Sequence, residues 1–203
     1  MKQDQRQAKL DSIASVITNR AIDIELAKSC LNPVPGEGSA SAELMIIGEA
    51  PGAKEDQLGR PFVGASGKFL DAMLASIGLE RQDVFITNIV KFRPPKNRDP
   101  SAAEIKACMH ILYQEIDALR PKLIVFLGRH AANVFFPNLT IGEAHGEPLM
   151  QVIELGPKVR VKQTFLPLYH PAAALYNGSM RKTLFDDFAK IPQILAIINK
   201  VKL

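Results

Sequence analysis

Four short apolar runs decide what this chain can become: 43–47 (ELMII), 84–90 (VFITNIV), 122–127 (KLIVFL) and 159–169, which ends in TFLPLY. Each is too short for a buried helix and is rich in β-branched or aromatic residues, so each reads as a strand. The first three do not alternate between apolar and polar, and the fourth ends in an unbroken apolar stretch. Such strands are covered on both faces, as in a parallel sheet packed between helices.

The segments between the runs carry helical spacing. Residues 5–29 place Leu10, Ile13, Val16 and Ile17 near one face. In 66–79 the shared face is Phe69, Leu70, Met73, Leu74 and Ile77. A third helix opens with the capping-box pair Ser101 and Glu104. It carries Ile105, Cys108, Met109, Leu112, Ile116 and Leu119, and ends at Pro121. A short helix begins near His130, and a last one spans about 180–198. Residues 32–41 are rich in Pro, Gly and Ser and read as a linker. Strands alternating with helices give an α/β fold. The expectation is a three-layer αβα sandwich around a central, mostly parallel four-stranded sheet. A helical arm and linker over 1–36 would precede an α/β domain over 37–203.

Composition narrows the function. At 203 residues, 47% hydrophobic and 23% charged, the chain can bury one substantial core. No apolar run reaches transmembrane length, and the first residues lack the apolar stretch of a secretory signal. A cytoplasmic monomer with no membrane partner is expected. The net charge of +4 suits nucleic-acid or phosphate partners, and equally an ordinary basic protein. Two cysteines, Cys30 and Cys108, are too few for a disulfide framework and point to a reducing compartment.

In open α/β sheets ligands sit beyond the carboxyl ends of the strands. Those ends deliver Gly48, Glu49 and Ala50, then Thr87 and Asn88 followed by Lys91 and Arg93, then Gly128, Arg129 and His130, then Tyr169, His170 and Pro171. A carboxylate, an amide and an imidazole would converge on one rim. An Asn amide can read a heterocycle through one donor and one acceptor. A His can support a developing oxyanion. Each has a duller alternative: Glu49 an exposed turn carboxylate, Asn88 a strand cap, His170 a structural residue before Pro171. Phe62, in GRPFVG, is either a stacking platform for a base or a loop anchor. The GASGKF stretch fails as a phosphate loop, because Phe69 follows the lysine where Ser or Thr belongs. Its helix start could face a DNA phosphate or be an ordinary helix start.

GEAPG, GRPFVG, ITNIVKFRPPKNRDP and YHPAAAL, in this order, resemble the family 4 uracil-DNA glycosylases. The resemblance runs from about Cys30 to about Ala196. It implies an enzyme that flips uracil out of single- or double-stranded DNA and hydrolyses its N-glycosidic bond. By the same resemblance Gly48, Glu49 and Ala50 form a turn against uracil and sugar, and Phe62 stacks on the base. Asn88 bonds its edge, and His170 supports charge on O2. Glu49 would position water or balance a cationic sugar. Pro171, Ala172 and Leu175 would press on the DNA, and Lys54, Lys68 and Arg181 would meet phosphates.

The family also implies a [4Fe–4S] cluster on four cysteines. Here Cys30 and Cys108 match two of them, while Ala27 and Phe92 stand at the others. Two thiolates cannot satisfy such a cluster, and His110 near Cys108 makes no recognised zinc spacing. The expectation is no cluster and no metal, with Ala27 and Phe92 filling the volume. The alternative function is a DNA- or partner-binding descendant with little catalysis. A nucleotide-binding module comes third, lacking both a Walker loop and a GxGxxG turn.

Overall fold

A computed structural model describes residues 3–200. The sheet has six strands: β1 (Glu37–Gly38), β2 (Leu44–Gly48), β3 (Phe85–Asn88), β4 (Leu123–Leu127), β5 (Leu149–Gly156) and β6 (Val159–Leu168). Their spatial order is β1-β3-β2-β4-β6-β5. The four expected strands, β3, β2, β4 and β6, form the parallel centre, and β1 and β5 add antiparallel edges. The sequence reading missed both edges for a physical reason. β1 pairs over two residues only, and in β5 only Ile153 is buried, so neither shows an apolar run.

The helices are α1 (Gln3–Thr18), α2 (Glu25–Ser29), α3 (Ala53–Leu58), α4 (Ala65–Ser76), α5 (Ala102–Leu119), α6 (Arg129–Phe135), α7 (Ile141–Ala144), α8 (Ala172–Tyr176), α9 (Ser179–Phe188) and α10 (Ile191–Lys200). Two long helices of the sequence reading are each split. Residues 5–29 break between α1 and α2, where Arg20 takes a left-handed φ of 56°. The C-terminal helix breaks after Phe188.

Alternation along each central strand divides the core into two layers. Met45, Ile47, Ile124 and Phe126 face one side, packed with Leu10, Ile13 and Ile17 of α1 and Cys108, Ile111 and Leu112 of α5. Leu44, Ile46, Leu123 and Val125 face the other, packed with Leu70, Met73 and Leu74 of α4, Leu184 and Phe188 of α9, and Ile191 of α10. The result is the three-layer sandwich. The capping box at Ser101 is formed: its Oγ accepts from the Glu104 amide, and the Glu104 carboxylate accepts from the Ser101 amide.

Register sets the functional rim. Gly48 pairs with Asn88 and Leu127 with Leu168, so four strands end level. Ile89 donates to the Gly48 carbonyl at 2.9 Å and Val90 to the Glu49 carbonyl at 3.0 Å. Gly128, at φ 96°, donates to the Leu168 carbonyl at 2.8 Å. The residues just past the strands are therefore fixed to one another by backbone bonds.

Candidate active site

Gly48 is the point where the rim is tightest. A Cβ built on it would lie 2.4 Å from Asn88 Oδ1 and 2.5 Å from the Phe62 ring. Only glycine lets the amide and the ring meet over the end of β2. A Gly48→Ala substitution is expected to cost about 1–3 kcal/mol by overpacking. It should also impair activity beyond that stability loss, read as kcat/KM at a temperature where the variant remains folded.

Asn88 is 3% exposed. Among the described residues, no group hydrogen-bonds its side-chain amide. Its donor and acceptor both remain available at the rim. Phe62 closes the other side, with its ring centroid 6.0 Å from that of His170 and the planes tilted by 33°. Phe62 holds φ at 52°, which is rare for a bulky residue and costs of order 1–3 kcal/mol. The surroundings impose it. Arg81 donates to the carbonyls of Pro61 at 2.7 Å and Phe62 at 3.0 Å, while its guanidinium is anchored by Glu37 and Asp71. Glu55 Oε1 accepts from the amides of Val63 and Gly64, both at 2.8 Å.

Glu55 thus takes the amides of the two residues that lead into α4, Val63 and the N-cap Gly64. A Cβ on Gly67 would fall 1.7 Å from the Phe62 carbonyl oxygen, so that glycine permits helix and loop to touch.

His170 sits past β6, half-buried, where a Cβ on Gly128 would approach its own Cβ at 3.1 Å. Burial holds its pKa down at about 4, against a smaller upward pull from Glu55. The imidazole is therefore neutral near pH 7. Its Nδ1 accepts from the Ala172 amide at 3.1 Å, which leaves the ring proton on Nε2. The side chain is a neutral donor of fixed tautomer. Glu49 lies on the same rim, half-buried, and its Oε1 is buried without a hydrogen-bond partner. Burial raises its pKa, with His130 pulling the other way.

The remaining sequence-derived residues spread around this centre. Ala50 is half-buried beside Glu49. Lys54, Lys68 and Arg181 are exposed on α3, α4 and α9, and the Arg181 guanidinium lies 4.8 Å above the Phe69 ring. Leu175 is exposed and Ala172 half-buried on α8, and Pro171, at its start, is buried. Next to Leu175, Tyr176 is 92% exposed, a feature that sequence reasoning passed over. Asp99 was also missed. It arrives beside His130 from a loop whose path the sequence does not reveal.

Ala27, Cys30, Phe92 and Cys108 all belong to one apolar layer, with Phe92 and Cys108 fully buried. Burial pushes both thiols up, away from the thiolate that a metal needs. Arg20 donates to Cys30 Sγ at 3.3 Å, to the carbonyls of Cys30 at 3.2 Å and Leu31 at 2.9 Å, and to that of Ala27. A guanidinium bonded to one of only two thiols does not fit a four-thiolate cluster. The arm is also tied by Asp56, whose Oδ1 accepts from the amides of Leu31 at 2.9 Å and Asn32 at 3.2 Å.

Fold and rim together define an α/β domain that presents an aromatic ring, a free amide and a neutral imidazole at the carboxyl ends of parallel strands. Residues 35–193 match the model of the uracil DNA glycosylase superfamily. The chain is 50% identical over 176 residues to the type-4 uracil-DNA glycosylase of Sulfurisphaera tokodaii, covering 83% of this chain and 77% of that one. It is 46% identical to the type-4 uracil-DNA glycosylase of Saccharolobus solfataricus, over 92% and 87% of the two chains. For the type-4 uracil-DNA glycosylase of Archaeoglobus fulgidus the identity is 44%, over 91% and 92%. The chain belongs to the uracil DNA glycosylase superfamily. Among the described residues, no helix is long and apolar enough to cross a membrane.

Proposed function

We propose that this protein excises uracil from DNA by hydrolysing the N-glycosidic bond, and that it does so as a monomer without a resident iron–sulfur cluster. The observation that carries the reading is the unpartnered Asn88 amide packed between Gly48, Phe62 and the strand ends. A planar base with adjacent N–H and C=O groups satisfies it, and a wrong edge leaves it buried and unpaired.

A base stacked in DNA is out of reach, so the nucleotide must rotate out before chemistry. Phe62 then stacks on the uracil, a contact worth about 1–3 kcal/mol per base. Asn88 pairs with its edge, and the backbone of Gly48 to Ala50 borders the sugar. As the C1′–N1 bond breaks, its electron pair leaves on the uracil. The neutral His170 donates from Nε2 toward O2, stabilising that charge without carrying a net charge itself. Glu49 faces the sugar side, where it balances the cationic C1′ and takes up a proton from the attacking water. Lys54, Lys68 and Arg181 are assigned to phosphates, and Leu175 with Ala172 to the space the base vacates. Both single- and double-stranded uracil DNA are proposed as substrates, the single strand requiring no unpairing.

The test uses protein purified without oxygen, assayed for iron and then for cleavage of a single-stranded oligonucleotide bearing one uracil. The expected result is turnover at sub-stoichiometric iron, unchanged after chelation. Stoichiometric iron would overturn the cluster-free reading. No turnover by folded protein would overturn the excision reading.

A further inference from the structure

Two neighbours of Glu49, His130 and Asp99, have no part in the steps above. His130, on the first turn of α6, stands between two carboxylates. Its Nδ1 is 3.7 Å from Glu49 Oε1 and its Nε2 is 3.5 Å from Asp99 Oδ2. Ligand atoms of the three residues all lie within 4.8 Å of one another. Arg129 Nε donates to His130 Nε2 at 3.2 Å, so Nδ1 carries the proton that faces Glu49. Arg129 and His130 from α6 and Asp99 from the 91–100 loop face Glu49, the first two pulling its pKa down and Asp99 pushing it up.

The separations exceed direct hydrogen bonds, as is common before a substrate tightens a site. Glu49 Oε1 is meanwhile buried and orphaned. A buried carboxylate oxygen without a donor is costly, and it is the atom left for a water.

We infer that His130 and Asp99 are positioning residues of the hydrolysis: His130 aims the Glu49 carboxylate so that Oε1 takes a proton from the attacking water, and Asp99 flanks the imidazole on its other side. The inference rests on the excision reading. In the step, the water oxygen bonds to C1′ while the C1′–N1 bond breaks and its pair departs on uracil. One water proton passes to Glu49 Oε1 and is later released to solvent. The uracil anion takes up a proton after leaving, so no oxidant or further reactant is needed. The Nδ1–H of His130 supplies a donor on the Oε1 side that opposes the burial of Glu49. Asp99, from the 91–100 loop, flanks the far nitrogen of the imidazole together with Arg129.

His130 and Asp99 are exposed enough, at 38% and 68% of their side chains, that replacing them should leave the fold intact. The experiment compares the parent with His130→Gln, Asp99→Asn, Glu49→Gln and the His130→Gln/Glu49→Gln pair. Each is assayed for kcat and KM on the uracil oligonucleotide across pH, with thermal melts alongside. His130→Gln is expected to lower kcat roughly 10-fold or more, a share of the 10²–10⁴ that general-base catalysis supplies. KM should stay within a factor of about two. Its acid limb should move to higher pH, because the group that pulls the Glu49 pKa down is gone. Asp99→Asn should lower kcat by less. The double variant should be no slower than Glu49→Gln, since both act through one carboxylate. An active parent with unchanged His130→Gln kinetics, or with additive losses in the double variant, overturns this inference alone. An inactive parent overturns the excision reading beneath it.

Discussion

Replacing His170 by alanine is expected to lower the excision rate by roughly 10²–10³, with little change in KM. The His170 imidazole is a neutral donor of fixed tautomer. The Ala172 amide occupies Nδ1, and burial holds the pKa at about 4. Nothing else among the described residues replaces Nε2 once the ring is removed, whereas stacking on Phe62 and the Asn88 amide survive to bind substrate. The same depressed pKa predicts a stability effect. Between about pH 6.5 and pH 4 the unfolded imidazole binds a proton that the folded one refuses. Stability contributed by the neutral ring is thus complete above about 6.5 and is lost as pH falls toward 4. An NMR titration should find His170 still neutral at pH 5.5. A midpoint near 6.5, or a His170→Ala protein that retains parental kcat, would remove it from the proposed chemistry.

The second large effect lies behind the site. Lys91 is fully buried, and its ammonium donates to Thr87 Oγ1 at 2.5 Å, to the Asn88 carbonyl at 2.7 Å and to Glu115 Oε2 at 2.7 Å. Its three protons have three acceptors, and it grips the backbone of the proposed base reader. Lys91→Met leaves Glu115 charged, buried and unpaired, a loss of about 3–5 kcal/mol. For a domain of this size that lowers Tm by roughly 10 °C. Adding Glu115→Leu removes the stranded charge, so the double variant should recover much of the stability in urea melts. It should not recover full activity, because the Asn88 carbonyl loses its donor. A single variant costing less than about 1 kcal/mol would show that the pair does not organise this layer.

The sequence by itself determined the central layer and the identity of the rim. The apolar runs became the four parallel strands because β2, β3, β4 and the second half of β6 are buried on both faces, which leaves composition as a record of environment. Gly48, Asn88 and His170 were legible because they stand where such runs end. The capping box at Ser101 was legible because its chemistry is local. The edge strands were not. β1 and β5 exist through hydrogen bonds to a neighbour, and a half-exposed strand such as β5 has no apolar signature. Nor could spacing tell that Phe62 would be forced into a left-handed backbone. That follows from Arg81, Glu55 and Gly67 arriving from three separate segments. Arg20 at Cys30 and Asp99 at His130 belong to the same class. Each is a contact between side chains far apart in sequence, and periodicity carries no information about which of them a closed chain brings together.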